Sequence, residues 1–169
     1  GNREMVHKLR KTTKKATSGF TLVEVMVVLI LLALSFMVFL QALNTGKSVR
    51  VKSEIRTVQS VILNSLANQI RARRFDENSS EPWSSSLGKE SGETSISQFD
   101  DIDDFHQYSL SAVPDQPAFS CSVAVQYVNV ASGFHTPQSQ QTNFKSVMVK
   151  VSHKTLPAIT DTMIISPGL

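Results

Sequence analysis

From Phe20 to Leu43 the chain is apolar almost without interruption, and Val25–Leu43 holds only Ser35 and Gln41 as polar positions. As a helix that stretch would rise about 28 Å, close to the roughly 30 Å of a bilayer's hydrocarbon core. Beyond Gly46 the pattern turns amphipathic. Val51, Ile55, Val58, Ile62, Leu66 and Ile70 recur at steps of three or four, which predicts one apolar helix face. Lys52, Glu54, Arg56, Gln59, Asn64 and Asn68 then fall on the remaining surface. The helix is expected to end near "RARRFDENSS", where Arg71, Arg73 and Arg74 suit a C-terminal turn. Residues 20–74 would together make about 80 Å of helix. "LNTGKS" (43–48) is the natural place for a kink or local melting, since Gly46 is the run's one glycine.

Residues 76–98, "DENSSEPWSSSLGKESGETSISQ", carry no periodicity and predict a long polar loop, with Trp83 as its one large apolar anchor. The period then changes to two. In "FSCSVAVQYVNV", Phe119, Cys121, Val123, Val125 and Tyr127 alternate with small or polar residues. "FKSVMVKVSHK" sets Val147, Val149 and Val151 against Met148, Lys150 and Ser152, and "ITDTMIIS" supplies a third strand. Turn residues separate the three, so an antiparallel meander is the simplest arrangement. Its apolar face needs a cover, which the amphipathic half of the helix can supply. The chain reads as α+β, a long N-terminal helix packed on a small antiparallel sheet. The expected divisions are 1–19, a basic leader; 20–45, a membrane helix; 46–75, an amphipathic helix; 76–98, a polar loop; and 99–169, an antiparallel β domain.

Charge sharpens this picture. The net charge is +3, yet residues 1–19 hold six basic side chains against Glu4, which is +5 and leaves −2 for the rest. The excess lies in a short arm rather than on a domain, so nucleic-acid binding is not indicated. A basic arm before a membrane-length run places the N-terminus in the cytoplasm and the following domain outside. A removed secretory signal fits poorly, because the apolar run is long and continues into a helical pattern.

One residue contradicts the apolar run, and that is Glu24. A carboxylate in hydrocarbon needs an opposite charge or a function. The surrounding residues, a basic leader ending in Gly19 and then Phe20-Thr21-Leu22-Val23-Glu24 fused to a membrane-length helix, resemble the N-terminus of type IV prepilins and type II secretion pseudopilins. The resemblance implies cleavage after Gly19 by a prepilin peptidase and N-methylation of the new Phe20 amine. It also implies that Glu24 pairs with such an amine, commonly a neighbouring subunit's, as the assembly ion pair. The implied partners are other pilin or pseudopilin subunits, an inner-membrane assembly platform and the lipid bilayer. The implied location is the bacterial inner membrane, crossed once, with the C-terminal domain periplasmic, and afterwards a pilus or pseudopilus. If translation starts at Met5, the leader has an ordinary length for these proteins. "RRFDENS" (73–79) and "FDDIDDFH" (99–106) are similar to segments of D-type minor pilins of mannose-sensitive haemagglutinin pili. A structural subunit of the minor pilin kind is the reading this favours, with a minor pseudopilin or a signal-anchored periplasmic binding domain as alternatives.

The remaining chemistry is sparse, and no catalytic site emerges. Asp100, Asp101, Asp103 and Asp104 could offer hard oxygen ligands to Ca²⁺, the one candidate cofactor. Counted as an EF-hand from Asp101, the loop has His106 where glycine belongs and Ala112 where the bidentate glutamate belongs, so that pattern fails. A solvated acidic turn and a calcium site of another kind stay open. His7, His106, His135 and His153 form no zinc spacing, and Cys121, the one cysteine, reads as a buried small hydrophobe. Lys47, Arg50, Lys52 and Arg56 could meet lipid headgroups, acidic faces of adjacent subunits or DNA.

Overall fold

The computed structural model describes residues 19–168, so the basic leader lies outside the described residues. Two compact units divide between Lys47 and Ser48, and one helix, α1 (Leu22–Arg71), contributes to both. It is helical without interruption through 43–48, so the melting expected at Gly46 does not occur.

In the first unit α1 carries the membrane-length apolar run, and none of its most apolar stretch is buried. Leu32 is 66% exposed and Val38 65%. Each such side chain left in water forgoes about 1.5–3 kcal/mol of burial. Water is therefore the wrong solvent for this segment, and lipid or other apolar helices are the right one. Ser35 does not interrupt it, because its hydroxyl donates to the Leu31 carbonyl at 2.8 Å.

The second unit has its own core. Four strands, β1 (Ser109–Leu110), β2 (Phe119–Tyr127), β3 (Lys145–His153) and β4 (Ile159–Ile165), form an antiparallel sheet whose spatial order follows the chain order. Three of them are the expected strands, and β1 is an addition too short to leave a period in the sequence. The β2–β3 register sets Val123 against Val149 and Cys121 against Val151. Odd-numbered residues of both strands thus share the inner face, and burial alternates accordingly along β2 and, from Val147 to Val151, along β3. Leu63, Leu66, Ala67 and Ile70 of α1 pack on this face. The expected α+β arrangement of a long helix on a small antiparallel sheet is what the structure has.

The expected face of α1 packs on the sheet from Ile55 to Ile70, and the fully buried stripe also takes in Gln59, Leu63 and Ala67. Ile55, Val58 and Ile62 are only partly buried, Val51 is exposed, and Gln59, expected on the outer surface, is fully buried. The reason is polar. Gln59 Nε2 reaches the Val151 and Pro157 carbonyls, each at 3.3 Å, and its Oε1 accepts from Arg56 Nη1 at 3.2 Å. A buried amide satisfied on both ends costs little.

Residues 76–98 contain no helix or strand, but they are tied down. Trp83 is buried, packs edge-on against Phe75 at 5.0 Å, and donates from Nε1 to Asn143 Oδ1 at 2.6 Å. The chain then re-enters the core through Phe99, Ile102 and Phe105.

Candidate functional site

Two places carry chemistry, one in each unit. The first is the start of α1. Gly19, Phe20 and Thr21 precede the helix and are exposed, and a Cβ built on Gly19 would meet nothing within 4 Å. The backbone on either side of the Gly19–Phe20 bond is thus accessible. Thr21 then acts as the N-cap: its Oγ1 accepts from the Glu24 amide at 3.2 Å. Thr-x-x-Glu is the sequence of a capping box, in which the hydroxyl satisfies the third helical N–H. Glu24 lies in the first turn, where the helix dipole favours negative charge. Its carboxylate is exposed and accepts no hydrogen bond from the described residues.

Residues 14–40 match the family model described as "Prokaryotic N-terminal methylation motif". The chain carries a prokaryotic N-terminal methylation motif. This motif marks type IV prepilins and pseudopilins, structural subunits and not enzymes. The methylation motif implies processing by prepilin peptidase and assembly with other subunits of the same kind. Its apolar part continues into the segment of α1 that is long and apolar enough to cross a membrane. Neither the curated proteins nor the solved structures contain a significant match to the chain.

The second unit holds the other place, an acidic turn expected to be either solvated or a calcium loop. It is not solvated, for Asp101, Asp103 and Asp104 are buried. They fold inward because a short 3-10 turn (Asp103–Phe105) is built on their own carboxylates. Asp101 Oδ1 accepts from the amides of Asp103 (2.7 Å) and Asp104 (3.3 Å), and Asp104 Oδ2 from those of Asp100 (2.9 Å) and Asp101 (3.2 Å). Asp100 points the other way and pairs with Arg74 at 2.5 Å on the surface. The four aspartates thus do not converge on one point.

Lys145 is the counter-charge at this turn, and the alternation could have revealed it. Lys145 shares the odd-numbered phase of Val147, Val149 and Val151, so a lone cation was directed into the core. It is fully buried between Asp76 (2.9 Å) and Asp103 (2.5 Å), and donates to the Phe75 carbonyl at 2.7 Å. Its ammonium also lies 4.4 Å from the Phe75 ring centroid. Asp76 is well satisfied, accepting from Ser84, from the Asn78 amide at 3.0 Å and from Tyr127 Oη at 3.3 Å. Burial pushes its carboxyl up, but Lys145, Ser84 and Asn78 outweigh that and hold it below the ordinary value. Asp103 goes the other way, to about 7, because burial outweighs its share of Lys145. Asp101 rises to about 6 through burial and then the charge of Asp104.

A set of carboxylates that does converge includes residues the sequence did not single out. Glu90, Glu93 and Asp104 each offer an oxygen within 4.8 Å of the others. Gly92, at φ 108°, supports the turn that lets Glu93 Oε2 accept from the Glu90 amide at 3.1 Å. Loss of solvation and then contact with Asp104 and Glu93 push the Glu90 carboxyl up to about 8. Nothing local in the sequence joins 90–93 to 104, and only the fold brings them together.

Cys121 is buried on the inner face as expected. His153 is half-buried with its ring centroid 4.7 Å from that of Phe119. His106 is used structurally, its Nδ1 accepting from the Val125 amide at 3.2 Å. Of the basic residues, Arg56 turns to the domain and donates to the Pro157 carbonyl at 2.9 Å, while Arg50 pairs with Glu54 at 3.3 Å.

Proposed function

We propose that this chain is a minor type IV pilin, cut after Gly19, methylated on Phe20, held in the inner membrane by residues 20–45 and assembled into a pilus. The observation that carries the reading is the methylation motif fused to a helix whose most apolar stretch is unburied among the described residues. A filament core made of such helices removes that surface from water, and its low dielectric makes an unpaired Glu24 expensive. The methylated amine of Phe20 on a neighbouring subunit is the opposite charge that offsets this cost. Short acidic segments at 73–79 and 99–106, similar to those of D-type minor pilins of mannose-sensitive haemagglutinin pili, and a loop-rich second unit favour a minor subunit. A minor pseudopilin of type II secretion is the second reading, and the same motif supports it.

The test is the intact mass and N-terminal sequence of the protein recovered from host membranes and from sheared surface filaments. A chain beginning at methylated Phe20 and present in filaments supports the pilin. The same mature chain absent from filaments, with exoprotein secretion lost on deletion, supports the pseudopilin. An uncut chain in the presence of the peptidase overturns both.

A further inference from the structure

We propose that Lys145 and Asp103 join in an intramolecular amide bond, with Asp76 as the base that starts the reaction. The observation that carries this is the unequal way the two carboxyl groups meet the amine. Lys145 is fully buried, and its ammonium donates to the Phe75 carbonyl at 2.7 Å and to Asp76 Oδ2 at 2.9 Å. Asp103 Oδ1 lies closer still, at 2.5 Å, but without hydrogen-bond geometry, and neither Asp103 oxygen has a hydrogen-bond partner among the described residues. A buried ion pair is favourable only when its remaining lone pairs are satisfied, and those of Asp103 are not. The amine is thus pressed against a bare carboxyl group on one side and bonded to a well-satisfied carboxylate on the other.

That asymmetry assigns the roles. Asp76 is kept ionised by the amides of Asn78 and Ser84 and the hydroxyls of Ser84 and Tyr127, which suits a base. Asp103 lacks such donors. Burial, helped by the charges of Asp101 and Asp76, outweighs Lys145 and favours its protonated form, the one an amine can attack. Asp76 takes one proton from the Lys145 ammonium, and the freed lone pair of Nζ attacks Asp103 Cγ. The bond from Cγ to the hydroxyl oxygen breaks, and that hydroxyl leaves as water with a second Nζ proton. One C–N bond forms, nothing is oxidised or reduced, and the proton on Asp76 passes to solvent. Holding the reacting groups in contact supplies in advance the entropy that a bimolecular condensation would lose. The Phe75 and Tyr127 rings, with centroids 4.4 and 5.2 Å from Nζ, shield the amine from bulk water. A neutral amide also removes the desolvation cost of a buried ammonium and carboxylate. The ion pair is the reactant state, and the bond would tie the 3-10 turn to the start of β3. The inference concerns the second unit and does not rest on how the N-terminus is processed.

The test is mass spectrometry of the full chain, expressed without prepilin peptidase and folded in non-ionic detergent near neutral pH. The intact mass should fall short of the sequence mass by one water. Acylated Lys145 is no longer a trypsin site, and no other lysine or arginine lies between Glu90 and Lys145. Peptide 90–145 should therefore give way to 90–150, lighter by that water. Chymotrypsin, cutting at sites such as Phe105 and Phe144, should release a branched peptide joining Asp103 to Lys145. Lys145→Arg should restore the full mass, while Lys150→Arg should still lack the water. Asp76→Asn, with circular dichroism verifying its fold, should cut the bonded fraction at least about tenfold, the low end of what a positioned base contributes. A folded wild-type chain of full mass overturns the proposal. So does a water lost with Lys145 still cleaved by trypsin, the mark of an aspartyl succinimide, and so does an unchanged bonded fraction in Asp76→Asn.

Discussion

The two halves of α1 are the same secondary structure held by opposite means. Residues 22–47 bury nothing among the described residues, and their sequence is nearly all apolar; Ser48–Arg71 bury a stripe against the sheet, and their sequence is largely polar. The more hydrophobic half is thus the one with no core. What distinguishes them is where the apolar partner comes from: the second half finds it in the same chain, the first must find it in lipid or in other subunits. Damage to the first half should therefore appear in assembly and spare folding, and damage to the second should do the reverse.

The largest separation is expected at Glu24. Glu24→Ala should leave membrane insertion and the stability of the second unit unchanged, yet reduce incorporation into filaments by an order of magnitude or more, read by quantitative blotting of filament and membrane fractions. Normal incorporation would remove the ion pair from the account of assembly. Lys145→Ala is the mirror case. It strips a fully buried cation from two carboxylates and should cost about 3–5 kcal/mol, seen as a loss of tertiary structure on denaturant titration while the helical signal of the first half survives.

Acid should lower the stability of the second unit through Asp76. The Asp76 carboxyl is held below its ordinary value in the folded state, so its contribution is complete above the unfolded value of 3.8 and disappears as pH falls through the lower folded value. Asp76→Asn should flatten that acid limb of the stability curve, and an unchanged limb would assign it to other carboxylates. The smallest effect is at the cap: Thr21→Val should cost about 1 kcal/mol of local helix stability, visible as faster amide exchange at Glu24 and nowhere in the second unit.

The comparison also explains what the sequence disclosed. Long-range order of one kind is legible: the period-two runs of β2, β3 and β4 and the apolar run of α1 are written residue by residue. The site at Gly19–Glu24 is local, so its six residues suffice to find it. The apolar stripe of α1 is legible from its spacing, but Gln59 is not, because it is buried for its amide, whose partners at Val151 and Pro157 lie 92 and 98 residues on. Lys145 was half visible, for its phase directs it inward, but which carboxylates receive it is decided by how 75–76 and 101–104 meet. Glu90, Glu93 and Asp104 leave no trace in any window, because an irregular loop has no period to read.

The order of the sheet has one more consequence, and it concerns company rather than stability. As the last strand of a meander, β4 has a pairing partner on one side only among the described residues. Subunits crowded side by side would find in such a bare rim an invitation to zip together edge to edge. Here Pro157 and Pro167 bracket the strand, and Asp161 sits in its middle. A missing amide at each end and a charge between them discourage a stranger's strand from adding on. The domain can thus be packed at high density while meeting its neighbours through faces and helices instead of through a shared, runaway sheet.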